Sequence, residues 1–509
     1  MSLTIHLIVR YRELHYNNPE AEHRSLVLDA VTLMIKPCLY AVLTTIAGFA
    51  SLLLCDILPV RTFGWMMSAG LIVSLILTFL FFPAVLMLLP KGTPMVKRDS
   101  RFSLTSFMAG FTEAHGTMIL VISCITLVVS IIGISKLEVE NSFIDYFKDT
   151  TEIYQGMKVI DQSLGGTTPL DIIVELDEPK AATGNESYEE FAEFDEFDEA
   201  AGKDKYWFTS DKMATVNKIH DYLVSVPETG KVLSLGTMVK VAEKLNNGKP
   251  LDNFQLALLY TEMPEKFKSM ILKPYVSIEN NEVRFSVRVK DSEKSLRRNE
   301  LLQRIKHDLT GKLGLKNEDV HLTGMLVLYN NILQSLFGSQ ILTLGATVLA
   351  LLCMFLVLFR SLKIAFIAIF PNLLSIGTVL GFMGWAKIPL DMMTITIAAI
   401  SVGIAVDDTI HYIHRFKREF ALDRNYMKTL HRCHGSIGHA MYYTSVTIII
   451  GFSILVLSNF IPTIYFGLLT GLAMLIALIA ALTLLPQLLV FFKPFGPEIG
   501  EKNGTNGEI

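Results

Sequence analysis

Eight runs of roughly 20 apolar residues, each bounded by charge, decide which solvent this chain folds in. They cover 37–58, 63–89, 116–134, 338–359, 364–386, 389–411, 440–460 and 463–492. A bilayer core about 30 Å thick is crossed by about 20 residues of helix, because a helix satisfies its own backbone groups where no water can. Composition agrees, with 51% of residues hydrophobic and only 18% charged, below the usual quarter in soluble domains. The 45 basic and 49 acidic side chains give a net charge of −4, so no basic excess points to nucleic acid. The five cysteines form no Cys-x-x-Cys pair and read as apolar filler.

Lys and Arg set the orientation, since loops rich in them stay cytoplasmic. Arg10, Arg12, Arg24 and Lys36 precede the first run; Lys91, Lys97, Arg98 and Arg101 follow the second; Arg360 and Lys363 join the fourth to the fifth. Arg415, Lys417, Arg418, Arg424, Lys428 and Arg432 follow the sixth, and Lys493 follows the eighth. All five clusters fall on one side if both termini are cytoplasmic. The soluble stretch 136–335 then faces outward from the inner (plasma) membrane.

Within that stretch 169–177, 231–235, 282–290 and 319–325 read as strands, and 211–226 and 293–309 as helices, with further helices between 237 and 272. The expected fold is a polytopic α-helical membrane protein of about eight transmembrane helices, with one extracytoplasmic α+β domain of split βαβ, ferredoxin-like type. Its expected parts are the end of a first membrane repeat with a linker (1–112), a transmembrane helix (113–135), the outer domain (136–335), a five-helix bundle (336–495) and a disordered tail (496–509). An acidic run, Glu189, Glu190, Glu193, Asp195, Glu196, Asp198 and Glu199, reads as a solvated segment.

The chain also repeats itself. TIHLIVRYRE (4–13) matches TIHYIHRFKR (409–418) at five of ten positions, with an offset of 405 residues. Gly48-Phe49, Phe63-Gly64 and Pro83 then pair with Gly451-Phe452, Phe466-Gly467 and Pro486 at an offset of 403. Residues 1–90 thus copy 406–493, and Met1 aligns with Val406 inside a run. The expectation is a fragment of a roughly twofold larger protein, or a first half supplied in trans.

Asp407, Asp408 and His411 stand near the end of the sixth run, where a buried charge costs about 2.5 to 3.5 kcal/mol and is seldom kept without a use. Asp407 and His411 share a helix face, while Asp408 points about 100° away. Such acids suit a proton relay. Thr394, Thr396, Thr444, Ser445 and Thr447 either bond to the acids across helices or satisfy their own carbonyls. His431, Cys433, His434 and His439 lie within nine residues, yet no second cluster completes a tetrahedral metal site, and they read as part of a basic interfacial helix. Gly403, Gly451, Gly467 and Gly471 are expected at close helix contacts. No nucleophile paired with a base and no phosphate loop appears in 136–335, so neither an enzyme nor a cofactor is expected.

GIAVDDTIHYIHRFKRE (403–419), the PLDMMT entry to the same run, and the plan of one span, a large outer domain and five spans together resemble the resistance-nodulation-division (RND) superfamily. The branch most similar is that of predicted exporters grouped with the mycobacterial large membrane proteins (MMPL), akin also to sterol-sensing-domain proteins. The resemblance implies proton-driven export of hydrophobic or lipid-like molecules, with Asp407 and Asp408 binding protons and His411 relaying or orienting. It places the family's first-half acids at Ser2 and Leu3. A sterol- or lipid-sensing receptor that does not pump, an inactive fragment, and a homo-oligomer stay open alternatives.

Overall fold

The computed structural model describes residues 2–92, 104–137, 142–176, 207–293, 296–391 and 393–498. The acidic run from Glu189 to Glu199, the basic residues Lys97, Arg98 and Arg101, and the tail after Glu498 lie outside them. Contacts divide the chain into two units, Met1–Asn141 with Gln334–Ile509, and Ser142–Leu333.

The helices and strands follow in chain order. The first five helices are α1 Ser2–Asn17, α2 His23–Ser51, α3 Leu58–Leu88, α4 Leu104–Ala114 and α5 Gly116–Ile134. The second unit holds α6 Glu152–Ser163, β1 Thr168–Glu175, α7 Ser210–Ser225, β2 Thr229–Leu233, α8 Leu235–Leu245, α9 Asn253–Glu262, β3 Val276–Ser277, β4 Glu282–Val289, α10 Arg298–Gly311 and β5 Val320–Thr323. The chain ends with α11 Met325–Phe359, α12 Leu362–Trp385, α13 Thr394–Asp423, α14 Tyr426–His434, α15 Ile437–Ser453, α16 Ile461–Leu482 and α17 Leu484–Phe492.

Among the described residues, eight helical stretches are long and apolar enough to cross a membrane, as expected of a polytopic membrane protein. Their ends differ from those of the apolar runs. The first helix begins at His23 rather than 37, and the sixth runs to Asp423 rather than 411. Hydropathy marks where lipid contact ends, whereas backbone bonding carries a helix on into charged turns.

The internal repeat has a structural counterpart. Phe49 meets Phe63 edge-on at 6.0 Å and 66°, and their counterparts Phe452 and Phe466 meet at 5.7 Å and 67°. A β-carbon on Gly64 would lie 2.6 Å from the Phe49 carbonyl, and one on Gly467 2.5 Å from the Phe452 carbonyl. Each copy therefore turns between its last two spans, α2 to α3 and α15 to α16, through the same Phe-Phe clasp, closed over a glycine that admits no side chain. Gly403 packs against Thr45, but a β-carbon added to Gly451 or Gly471 would meet nothing within 4 Å. That corrects the expectation for those two: a small residue permits close approach without requiring it.

Past α17 the chain returns over the end of α13. The Phe495 ring stacks on Phe416 at 5.7 Å and lies 6.0 Å from Phe420. The Phe495 N–H donates to the Tyr426 hydroxyl at 3.0 Å, and the Glu498 carboxylate accepts the Tyr426 N–H at 2.8 Å.

In the second unit β1 pairs antiparallel with β4 and β5, and β4 with β2 and β3, giving the order β2-β4-β1-β5 with β3 beside β4. Alternation buries Leu170, Ile172 and Val174 of β1 in one core with Val216, Ile219 and Leu223 of α7 and Leu301, Ile305 and Leu309 of α10. A fully buried carboxylate ties the loops together. Asp161 accepts from the Thr167 hydroxyl at 2.7 Å and from the backbone N–H groups of Thr167, Asp291 and Ser292 at 2.9 Å each. Burial pushes this carboxyl up, but bonds from Ser292, Thr167 and Asp291 outweigh it and hold it below the usual range.

A depressed carboxylate stabilises the fold above its unfolded value near 4 and loses that contribution as pH falls towards the folded value. His220 is held below its normal value by burial, so acidification through the mid-6 range also favours the unfolded chain. Sheet amides in the intact chain should therefore exchange progressively faster as pH drops from 7 to below 4, after correction for intrinsic exchange. Asp161→Asn should cost the sheet about 2 kcal/mol at pH 7 and flatten the lower part of that profile.

Candidate functional site

The segment TITIAAISVGIAVDDTIHYIHRFKRE is dense in small and branched apolar residues, and in α13 it is buried along most of its length. Small residues let neighbours come close. The Thr45 hydroxyl of α2 donates to the Gly403 carbonyl at 2.8 Å, and a β-carbon on Gly48 would sit 3.0 Å from the Ala399 carbonyl. Next to this backbone contact stand the two acids.

Asp407 and Asp408 face different partners, as their helical spacing predicts. The Ser2 hydroxyl of α1 donates to Asp407 Oδ2 at 2.6 Å, and His411 Nε2 lies 3.1 Å from Asp407 Oδ1, off the line of a good hydrogen bond. The imidazole of His6, also from α1, stacks on that of His411 with centroids 4.0 Å apart and planes 10° from parallel. Asp408, 3% exposed, accepts from the Ser445 hydroxyl of α15 at 3.1 Å. One residue on, the Asn372 amide of α12 donates to the Thr409 hydroxyl at 3.2 Å. Four helices thus converge on α13 around the acids.

Of the other polar residues expected here, only Ser445 reaches an acid. Thr396 donates to the Met393 carbonyl at 2.7 Å, Thr444 to that of Met441 at 2.9 Å and Thr447 to that of Tyr443 at 2.7 Å. Thr394 instead closes the start of α13: its hydroxyl accepts the Asp391 N–H, while the Asp391 carboxylate accepts its own N–H, each at 2.7 Å. The second cluster separates similarly, with His434 bonded to the Leu482 carbonyl at 2.8 Å and His431 to Glu113 at 2.8 Å.

Reading α13 alone misses Ser2 and His6. The repeat held the signal, because the offset of 405 pairs Ser2 with Asp407 and His6 with His411, and these are the pairs that touch. Matched residues meet at the centre when two copies face one another. His6, Asp407 and His411 also bring their ligand-type atoms within 4.8 Å of one another, a spacing that suits a metal ion as well as a shared proton. A narrow cleft of about 50 Å³ is lined by His6 and His411 together with Arg10, Glu13, Arg415 and Arg418. Glu13 accepts from Arg10 at 2.6 Å and from Arg415 at 2.5 Å, so the cleft wall is a charged network. The arrangement offers acids, imidazoles and a polar opening, which together can bind and pass protons.

Residues 198–507, well over half of the chain and including every α13 residue above, match the MMPL family. The chain belongs to the MMPL family. That bears out the RND resemblance drawn from the acids. Among curated relatives, this MMPL-family chain is 27% identical over 202 residues to the apo-petrobactin exporter of Bacillus anthracis, covering 37% of this chain and 26% of that one. It is 29% identical over 152 residues to a membrane protein of Methanocaldococcus jannaschii, covering 30% of this chain and 39% of that one. Among solved structures it resembles SecDF, a translocon-associated membrane protein from Thermus thermophilus, with TM-score 0.52 and 13% identity over 97% of this chain and 54% of that one. It also resembles the hedgehog release protein Disp of the water bear Hypsibius dujardini, with TM-score 0.58 and 14% identity over 97% of this chain and 62% of that one. This MMPL-family chain therefore spans less than two thirds of each of these relatives.

Proposed function

We propose that this chain is a proton-driven exporter of hydrophobic or lipid-like molecules. The observation that carries the reading is the acid pair, buried on one helix and bonded to two further helices, Asp407 to α1 and Asp408 to α15. Protonating either removes a charge that burial penalises and loosens one of those two holds. A proton entering at Asp407 releases α1, whereas one at Asp408 releases α15, so a single event biases how the helices pack. His411 orients Asp407, and His6 stacks on His411 where it can take up the proton in transit. The kinship with an exporter supports the direction of transport.

The remaining expectations fit the same scheme. The chain would lie in the inner (plasma) membrane with both ends cytoplasmic, supported by the placement of Lys and Arg. Its outer unit would be a split βαβ module, supported by the order β2-β4-β1-β5 with α7 and α10 packed on the sheet.

The test uses sealed vesicles loaded with an NBD-labelled fatty acid. Efflux should follow an imposed pH gradient and stop when a protonophore collapses it. A lipid-sensing receptor would bind the same probe indifferently to the gradient, and that result would refute export. His6→Ala should slow efflux roughly tenfold or more, as loss of a positioned proton carrier does, and His6→Asn should recover little of it.

A further inference from the structure

Buried polar atoms in folded proteins nearly always have hydrogen-bond partners, so a group of them left without any asks for a ligand. Such a group surrounds Asp407. His6 is 1% exposed and His411 3%, yet neither ring nitrogen of His6, nor Nε2 of His411, nor Oδ1 of Asp407 has a hydrogen-bond partner. Nε2 and Oδ1 stand 3.1 Å apart, off the line that a shared hydrogen needs. A metal ion needs no such line, because it draws several lone pairs to one centre.

The donor set selects the ion. Two imidazoles and one carboxylate are ligands that zinc accepts in three-ligand sites, where water takes the fourth place. Imidazole suits zinc, cobalt, nickel and copper, whereas calcium and magnesium prefer oxygen alone. Spacing agrees with this choice. Asp407 and His411 lie four apart on α13, the interval at which two residues on one helix face grip a single ion. His6 brings the third donor from α1, and the three ligand atoms lie within 4.8 Å of one another. Zinc bonds put tetrahedral ligands roughly 3.4 Å apart, a contraction that side-chain torsions can supply. An outer shell is present too, since Ser2 donates to Asp407 Oδ2 at 2.6 Å and leaves Oδ1 to face the ion.

Binding has a structural consequence. The His6 and His411 rings lie 10° from parallel with centroids 4.0 Å apart, and an ion sits in the plane of each imidazole that holds it, so the stack must open into a wedge. Because the rings belong to different helices, the ion then ties α1 to α13. It reaches the cluster from the narrow cleft that both rings line, where Arg10, Arg415 and Arg418 outnumber Glu13. Like charge opposes a cation there, so occupancy should build slowly.

We propose that His6, Asp407 and His411 form an inhibitory site for a divalent transition-metal ion of the zinc class, which locks α1 against α13. The inhibition, though not the binding, rests on the export reading.

The test titrates Co²⁺, whose visible absorption reports coordination number, into the intact chain in nanodiscs, purified without a polyhistidine tag. One ion per chain should bind with the intense blue spectrum of a four-coordinate site, and Zn²⁺, which has no such absorption, should bleach it. His6→Ala should weaken binding about tenfold or more, and His6→Cys should restore it with an added sulfur-to-metal band in the near ultraviolet. Asp407→Asn should weaken it as well, and keeps the test decisive if His6→Ala does not fold. His431→Ala, in the exposed histidine set, should leave the spectrum unchanged. In the vesicle assay Zn²⁺ should halt efflux of the labelled fatty acid and a chelator should restore it. No four-coordinate spectrum in the parent, or binding indifferent to both His6→Ala and Asp407→Asn, would overturn the site. Efflux that persists when the site is full would overturn the inhibition. Cobalt binding as expected without gradient-driven efflux in the untreated parent would count against export alone, and efflux without cobalt binding against the metal site alone.

Discussion

Converting Asp407 and Asp408 together to Asn should abolish gradient-driven efflux while leaving the folded protein at least as heat-resistant as the parent. Asn matches Asp in shape and, like a protonated acid, keeps only weaker uncharged contacts with Ser2 and Ser445, so the charge-assisted holds of α13 on α1 and α15 loosen without leaving a buried charge unpaired. What disappears is the capacity to gain and lose a charge inside apolar surroundings. Removing buried charge relieves desolvation, so stability should hold or rise. The single variants divide the work. Asp408→Asn resembles a permanently protonated acid and should stop turnover even with Asp407 intact, whereas Asp407→Asn should also leave His411 without its charged neighbour. Pyranine trapped in proteoliposomes reads the proton flux, and the NBD-labelled fatty acid reads the cargo. Undiminished flux in the double variant would remove the physical basis for a pump.

The second large effect is structural. Gly133 of α5 and Gly381 and Gly384 of α12 press backbone on backbone: a β-carbon on Gly384 would collide with the Gly133 carbonyl, and one on Gly133 with Gly381. No flexible side chain stands between them to yield, so the helices themselves must part. Gly384→Ala should cost about 3 kcal/mol, at the upper end of overpacking penalties, and Gly384→Val should leave little monodisperse protein after solubilisation. Gly451→Ala provides the contrast, since nothing lies within 4 Å of its added carbon. That substitution should be neutral or mildly stabilising, because alanine favours helix by about 1 kcal/mol over glycine. Thermal unfolding of the detergent-solubilised chain separates the two, and equal melting temperatures would refute the close contact.

Much of this was legible in the residues because the forces concerned are local. Apolar run length reports the bilayer, and the period of Asp407, Asp408 and His411 along one helix fixes their directions before any neighbour is known. The repeat carries longer-range information, since it matches His6 to His411, but that the two rings stack emerges only in the fold. The threonines show where local reasoning stops. Thr444 and Ser445 are equally polar, yet one helical step rotates a side chain by about 100°, so Thr444 turns back to its own helix while Ser445 meets Asp408. Nor does sequence distinguish Gly133, jammed against a neighbouring backbone, from Gly451, where a β-carbon would meet nothing within 4 Å. That difference arises only when two distant segments meet.

The strap beyond α17 offers an experimental handle. Because Phe495 wedges between the rings at the end of α13 and Glu498 grips Tyr426, any sliding or tilting of that helix must drag the last described residues with it or tear them loose. A fluorophore attached just after Glu498 would consequently report each displacement of α13 that the proposed protonation of the acids sets off.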